Sequence, residues 1–177
     1  MIMQKFAGAV LALLLLVPSR AAAAPYASND YGFSADFLSD PEISAPRPSE
    51  RDADGNVESD TVTYSAGQPG DYYSAVTVDT FLAPTTLDVA GSLADERDTF
   101  ARSFGSVTSS RTDTFQGSPA VFFTFANDDG TEAGRGMVVI LNGPTPRIYL
   151  VTMVHKDSTP QATVDALNSF IDSFKLL

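Results

Sequence analysis

The chain of 177 residues contains no cysteine, no tryptophan and a single histidine. Without cysteine it has no thiolate nucleophile, no disulfide framework, no iron–sulfur cluster and no cysteine-ligated zinc. One histidine also excludes a metal site that needs two histidine ligands. These absences remove many common catalytic chemistries, and they mean that the fold has to be stable through packing alone.

The chain also lacks an apolar run long enough to cross a membrane. Its longest run, residues 6–17, is well short of the about 20 residues that a transmembrane helix needs. This run follows the basic start Met1–Lys5 and precedes Ala21–Ala24, which is the three-part pattern of a secretory signal peptide. An uncleaved membrane anchor is the alternative.

We predict cleavage after Ala23, because a cut after Ala24 would place Pro25 directly behind the cleaved bond. Residues 1–23 are then a signal peptide, residues 24–30 a short N-terminal tail and residues 31–177 a single domain. The mature protein is expected to be periplasmic or secreted, without stable insertion in the membrane.

Basic residues are scarce, since 11 Lys and Arg stand against 22 Asp and Glu, a formal net charge of −11. Removing residues 1–23 takes away Lys5 and Arg20 and no acid, which leaves 9 basic and 22 acidic residues and a net charge of −13. Such a charge repels phosphate backbones and anionic lipids, so nucleic acid is not the expected partner. Basic or cation-bridged protein surfaces are favoured, although plain solubility explains the same charge.

The hydropathy pattern predicts a largely antiparallel sheet. Strand-like segments lie near residues 61–66, 72–82, 107–115, 119–126, 135–142 and 146–155, with an earlier short one through Tyr31, Phe33 and Phe37. The last three long segments are apolar on both faces, which indicates central strands. Segment 107–115 is mostly Thr, Ser and charge, which is typical of an edge. Turn sequences such as Asn127–Gly130 predict hairpins.

Two amphipathic segments predict helices. The first begins near Thr85–Thr86, with Asp88 at the capping-box spacing, and ends at Gly105. The second begins at Ser158–Pro160. Their apolar stripes are Val89, Leu93, Phe100 and Phe104 in the first, and Val164, Leu167, Phe170, Ile171 and Phe174 in the second. We therefore predict an α+β fold: a single antiparallel sheet of about six to seven strands with one helix on each face, an α/β/α sandwich.

Four short sequences then suggest a family: Tyr31-Gly-Phe33 with Phe37, Gly117-Ser-Pro119-Ala, Arg147-Ile-Tyr149-Leu, and Phe170-Ile-Asp-Ser-Phe174-Lys. With this order of elements, residues 30–177 resemble the PsbP-like superfamily, named for an extrinsic lumenal subunit of photosystem II and shared by small exported bacterial domains. The chain departs from it where Leu38-Ser-Asp-Pro41 follows the first strand. The resemblance implies a non-catalytic binding or accessory domain outside the cytoplasm.

An acidic segment is the candidate metal site, and its possible ligands are Glu50, Asp52, Asp54, Asn56 and Glu58. Their spacing, with Gly55 between them, follows much of a calcium-binding loop. Thr61 stands where such a loop has a bidentate Glu, so a solvated hairpin turn around Asp54-Gly55 is the alternative. No cofactor other than a weakly held calcium ion is expected.

Two further constellations are candidates for function. Arg111, Arg135 and Arg147 could line a pocket for an anion or a partner, because arginine recognises carboxylates in a bidentate manner. Internal salt bridges to the many acids explain the same residues. His155 ends a strand without a recognisable nucleophile motif, so packing near the surface is favoured over catalysis.

The predicted function is that of an exported, non-catalytic accessory domain that docks on an envelope or membrane-associated complex through an acidic surface. A periplasmic carrier of a small ligand or divalent cation is the alternative, and a hydrolase that uses His155 is the third. An open surface favours docking, whereas a closed cavity with a few converging polar groups favours a carrier.

Overall fold

The computed structural model describes residues 25–49 and 58–177. Two helices and eleven strands form within these ranges. They are β1 (Tyr26–Ser28), β2 (Phe33–Ala35), β3 (Glu42–Ile43), β4 (Arg47–Pro48), β5 (Ser59–Gln68), β6 (Tyr72–Phe81), α1 (Val89–Arg102), β7 (Ser106–Phe115), β8 (Ser118–Ala126), β9 (Glu132–Leu141), β10 (Arg147–Lys156), α2 (Gln161–Ser173) and β11 (Lys175–Leu176).

The main sheet has eight antiparallel strands in the order β3-β5-β6-β10-β9-β8-β7, and β4 also pairs with β5. Its six long strands are the six long segments predicted from hydropathy. The predicted interior position of 119–126, 135–142 and 146–155 is confirmed, as is the edge position of 107–115. The strand count was too low because β3 and β4 have two residues each, too few to show a period.

The prediction of a single sheet was wrong, because a second sheet has the order β1-β2-β11. Gly32, with φ +66°, makes the tight turn between β1 and β2, and its N–H donates to Ser28 O at 2.8 Å. β11 follows α2 directly and pairs with β2. The predicted N-terminal tail, residues 24–30, therefore contains a strand of the fold.

The two faces of the main sheet carry separate cores. Leu167 and Phe170 of α2 pack with odd-numbered residues of β9 and β10, such as Val139 and Tyr149. Leu93 of α1 and its neighbours pack with even-numbered residues, such as Val138 and Ile148. Because successive side chains of a strand point to opposite faces, this division confirms one helix on each face.

The helix boundaries differ from the prediction at α1. Asp88, rather than Thr85, is the N-cap, and its carboxylate accepts a hydrogen bond from the Gly91 N–H at 3.2 Å. The Thr85 hydroxyl donates to Ala83 O instead. A capping carboxylate directly before the first helical residue satisfies an N–H that has no partner within the helix. At the other end, the Gly105 N–H donates to Ala101 O at 2.8 Å.

Candidate functional site

The sheet face that carries α1 is only partly covered. α1 packs mainly over β7, β8 and β9; of β5, β6 and β10, residues near the two ends of β10, Ile148 and Val154, also join its core. The other face of β5, β6 and β10 is apolar, with residues such as Val62, Val76 and Val151, and lies under α2. Alternation along β5 and β6 thus places apolar residues in the α2 core and hydroxyl residues toward the uncovered side.

The uncovered strands form a groove with a volume of about 450 Å³. Its floor consists of two cross-strand rows, Thr63–Thr77–Leu150 and Ser65–Ala75–Thr152. The hydroxyls of Thr63 and Thr77 are hydrogen-bonded to each other at 3.0 Å. We call this feature the hydroxyl groove. On its floor Ala75 and Thr152 are buried, whereas Thr63, Ser65 and Thr77 are half-buried and reach the solvent.

The two walls of the hydroxyl groove differ in chemistry. Tyr73 of β6 and Phe100 of α1 form an aromatic wall. Asp40 and Glu42, both exposed, form an acidic wall on the other side. Burial raises the pKa of the Tyr73 phenol far above its usual value, and the negative charge of Glu132 adds to this shift. Tyr73 is therefore a neutral hydroxyl at physiological pH.

One end of the groove continues into a pair of half-buried acids. Asp79 is in the next cross-strand row, opposite Thr61 and Ile148, and its carboxylate accepts a hydrogen bond from the Thr61 hydroxyl. Burial raises the pKa of Asp79, and the hydrogen bond opposes this. Burial also raises the pKa of Glu96 on α1, and the negative charge of Asp79 raises it further. This end of the groove favours a positively charged group.

The groove lining can provide hydrogen bonds and negative charge to a bound group. None of the described residues that line the groove is a lysine, arginine or histidine. Hydroxyls, aromatic rings and carboxylates provide hydrogen bonds and attraction for cations, but they provide no positive charge to stabilise an anion. A ligand with amino or guanidinium groups on an apolar stem fits this lining best.

A second cavity, of about 440 Å³, lies beside the β1–β2 hairpin. Three tyrosines line it, Tyr26, Tyr31 and Tyr64, together with Ile43. These tyrosine rings pack against one another at centroid distances of 5.6 and 5.9 Å. The Arg147 guanidinium lies 6.0 Å from the centre of the Tyr31 ring. This cavity belongs to the junction between the two sheets.

The three candidate arginines share the α2-side face of the main sheet but not one pocket. Arg135 donates to Asn168 and Asp172 of α2, at 2.9 and 3.3 Å. Arg147 is on the neighbouring strand, as predicted, but opposite Leu141, which places it six residues or about 20 Å from Arg135. Arg111 pairs with Asp113 on β7. Two of the three arginines, Arg111 and Arg135, thus form salt bridges.

Of the candidate calcium ligands, the structure describes Glu58. Glu50, Asp52, Asp54 and Asn56 lie outside the described residues, and Glu58 is exposed, its N–H donating to Ser49 Oγ at 3.1 Å. Within residues 25–49 and 58–177, no group of three or more His, Asp or Glu is placed to hold a metal ion, and no helix is long and apolar enough to span a membrane.

His155, the candidate for hydrolysis, is half-buried at the end of β10. Its Nδ1 is 3.1 Å from the carbonyl oxygen of Lys156. Among the described residues, no serine or carboxylate is hydrogen-bonded to the His155 ring. A base that activates a nucleophile needs that nucleophile within reach, so the contacts of His155 give the hydrolase alternative no support.

The groove residues were missing from the sequence prediction. One pattern pointed to them: the alternation Thr61-Val-Thr63-Tyr-Ser65-Ala and Thr77-Val-Asp79, which marks a sheet face without an apolar cover. The pattern does not show that this face is concave, because the walls come from α1 and from residues 39–42.

Comparisons with known proteins bear on the fold. No protein-family model and no curated protein sequence matches the chain. The cyanobacterial PsbP protein CyanoP from Synechocystis sp. PCC 6803 matches in structure with a TM-score of 0.53 and 10% identity, over 87% of this chain and 92% of CyanoP. The fold is PsbP-like. The PsbP-like fold predicted from the four short sequences is thereby confirmed.

A second solved structure of similar fold is LpqN, which is involved in cell envelope biogenesis of Mycobacterium tuberculosis. The TM-score is 0.51 at 13% identity, over 86% of this chain and 89% of LpqN. Each match covers most of this chain and most of the solved structure. At these identities the likeness concerns the fold, and function has to be argued from the site.

Proposed function

We propose that this chain is an exported, non-catalytic accessory domain that docks on an envelope or membrane-associated complex, and that a basic segment of its protein partner occupies the hydroxyl groove. The observation that carries the proposal is the composition of that groove: an open surface with hydroxyls, aromatic rings and carboxylates and no basic residue in its described lining. An open groove of this kind suits an extended protein segment.

The position of the protein outside the cytoplasm rests on the signal-peptide pattern of residues 1–23. A location in the envelope also agrees with the fold, because LpqN, which has a similar fold, is involved in cell envelope biogenesis. A net charge of −13 after cleavage favours a basic partner and makes the association sensitive to salt.

Site-specific photo-crosslinking in the intact envelope tests the docking site. A photoreactive residue at Ser65, on the groove floor, is expected to capture one defined protein. The matched control carries the same residue at Ala166, which is exposed on α2 on the opposite face. Capture from both positions, or from neither, would show that the groove does not hold the partner.

A charge reversal tests the expected chemistry of the partner. Glu42 is exposed on the acidic wall, and Glu42→Lys is expected to reduce the crosslinked product from Ser65 several-fold. Asp128→Lys, at an exposed turn outside the groove lining, is the control for net charge. If chelation of divalent cations abolishes capture as well, the partner is acidic and bridged by a cation.

A carrier of a small ligand is the second candidate, because about 450 Å³ falls within the range of about 300–1,000 Å³ typical of ligand sites. Native mass spectrometry of the protein isolated from its own envelope tests it. A single added mass that disappears in Thr77→Phe, which fills the floor, would support the carrier. If the isolated protein shows no added mass and the photoreactive residue at Ser65 captures a protein, the carrier function is excluded.

Calcium binding by Glu50, Asp52, Asp54, Asn56 and Glu58 is a separate proposal with its own test. Isothermal titration at physiological ionic strength should show saturable heat with millimolar calcium if the segment is a weak site. Absence of heat at that concentration would end the proposal.

A further inference from the structure

β7 presents a long, exposed edge at one end of the main sheet. It pairs with β8 on one side, and eight of its ten residues are exposed. Among the described residues no strand pairs with its outer side. The other end of the sheet differs, since the two-residue strands β3 and β4 lie outside β5 there. An unpaired edge offers a row of N–H and C=O groups to another strand.

The part of this edge that can pair regularly runs from Ser109 to Phe115. A register shift between Val107 and Ser109 marks a bulge at Thr108, and pairing with β8 is continuous from Ser109 onward. The seven regular residues include no proline, glycine or lysine, residues that commonly protect an edge or interrupt a strand. Thr112 is the midpoint of this segment.

The charges of the edge are symmetric about the same midpoint. Arg111 and Asp113 flank Thr112 and point to the same face of the sheet, because they are two residues apart. If two copies pair antiparallel with Thr112 opposite Thr112, Arg111 of each copy is opposite Asp113 of the partner subunit. A register centred on Arg111 or on Asp113 would instead oppose like charges, which is destabilising.

We propose that β7 is a homodimerisation edge, in which Ser109–Phe115 of two copies pair antiparallel about a two-fold axis at Thr112. The register that matches opposite charges is also the one that uses the full regular segment. On the other face of the sheet, the same register places Ser110 of each copy opposite Thr114 of the partner subunit, and the two Thr112 residues opposite each other. Such cross-strand hydroxyl pairs are favourable. The main sheet becomes continuous through both subunits.

The surroundings of β7 leave room for this pairing. α1 lies on one face of β7, β8 and β9, where Arg97 donates to Ser110 Oγ at 3.0 Å, and the outer backbone edge of β7 is left unpaired among the described residues. The Arg111 guanidinium lies 5.0 Å from the centre of the Phe122 ring, which holds it on the sheet surface beside Asp113. Both charged side chains are thus at the edge and on the face where the partner subunit would meet them.

Single cysteines test the register, since the chain has none of its own. Thr112→Cys is expected to give a disulfide-linked dimer on mild oxidation, because position 112 is opposite itself. Thr114→Cys, equally exposed, is the control. In the proposed register, position 114 of one copy is displaced by four residues along the strand from position 114 of the other. That distance, roughly 13 Å, is too far for a disulfide. About tenfold more dimer from Thr112→Cys is expected. Equal crosslinking, or none from either, would overturn the proposal.

A charge swap tests the pairing without any crosslink. Sedimentation velocity over a range of concentrations should show a dimer for the unmodified chain, and Arg111→Asp or Asp113→Arg alone should weaken it about tenfold. The double variant Arg111→Asp/Asp113→Arg restores opposite charges and should restore the dimer. A chain that is monomeric throughout, or a double variant no better than the singles, contradicts the proposal. The hydroxyl groove is untouched, so these results are independent of the proposed docking.

Discussion

Gly136 of β9 is a position where one added methyl group should measurably destabilise the fold. Gly136 pairs with Phe123 of β8, and the Phe123 ring lies over it. A Cβ at residue 136 would overlap Cζ of that ring and lie 2.8 Å from its Cε1. Carbon atoms pack best at about 3.5–4.0 Å, so Gly136→Ala has to displace the ring by about 1 Å.

The ring has little room to move. Phe123 is 3% exposed and packs against Phe100 and Phe125, with ring centroids at 6.2 and 6.0 Å. Overpacking of a core costs about 1–3 kcal/mol, and the smaller entropy of the unfolded alanine chain offsets about 0.4–1 kcal/mol. The expected net loss is about 1–2 kcal/mol. For a domain of this size that lowers Tm by roughly 2–8 °C.

Thermal unfolding followed by circular dichroism measures this effect. Gly143→Ala is the matched control, because a Cβ at that turn position meets no atom within 4 Å, and its Tm should stay within about 1 °C of the unmodified protein. Adding Phe123→Leu to Gly136→Ala should cost less than the sum of the two single changes, since the smaller side chain accepts the methyl group. A Gly136→Ala protein that melts at the unmodified Tm would refute the close contact.

Two other predictions concern α1 and the groove. Asp88→Ala should lower the free energy of unfolding by about 1 kcal/mol through loss of the N-cap, whereas Thr85→Ala should have little effect. In urea unfolding, a loss for Thr85→Ala as large as that for Asp88→Ala would contradict Asp88 as the N-cap. Burial raises the pKa of Asp79 in the fold, so the folded state holds the proton more tightly than the unfolded chain. Stability therefore falls as pH rises from the ordinary aspartate pKa of 3.8 through the raised pKa. Asp79→Asn should therefore raise Tm at pH 7 but not at pH 3, and a Tm gain that is the same at both values would show that the charge is not the cause.

Local patterns in the sequence predicted much of the fold. Strands that are apolar on both faces, such as Met137–Leu141, can only be central in a covered sheet, and β9 is central. The polar strand 107–115 is at the edge for the converse reason. The stripes of the two helices predicted which residues face the cores, with Leu93 in one and Phe170 in the other.

Features that depend on distant parts of the chain could not be predicted in this way. The small sheet forms because β11, at the end of the chain, pairs with β2 near its start, and two-residue strands have no period to detect. The hydroxyl groove depends on where α1 lies across the sheet. Helix amphipathicity predicts that α1 packs on a face, but it does not predict which strands it leaves uncovered.

Phe100 links the stability of α1 to recognition in the groove. Its ring packs against Phe104 and Phe125 at 5.1 and 5.2 Å between centroids, and its outer side forms part of the groove wall. A wall fixed by the core loses little entropy when a partner binds, which favours affinity. The opposite wall, with Asp40 and Glu42, is exposed and is attached by a two-residue strand. The aromatic wall therefore sets the shape that a partner must fit, while the acidic wall selects its charge.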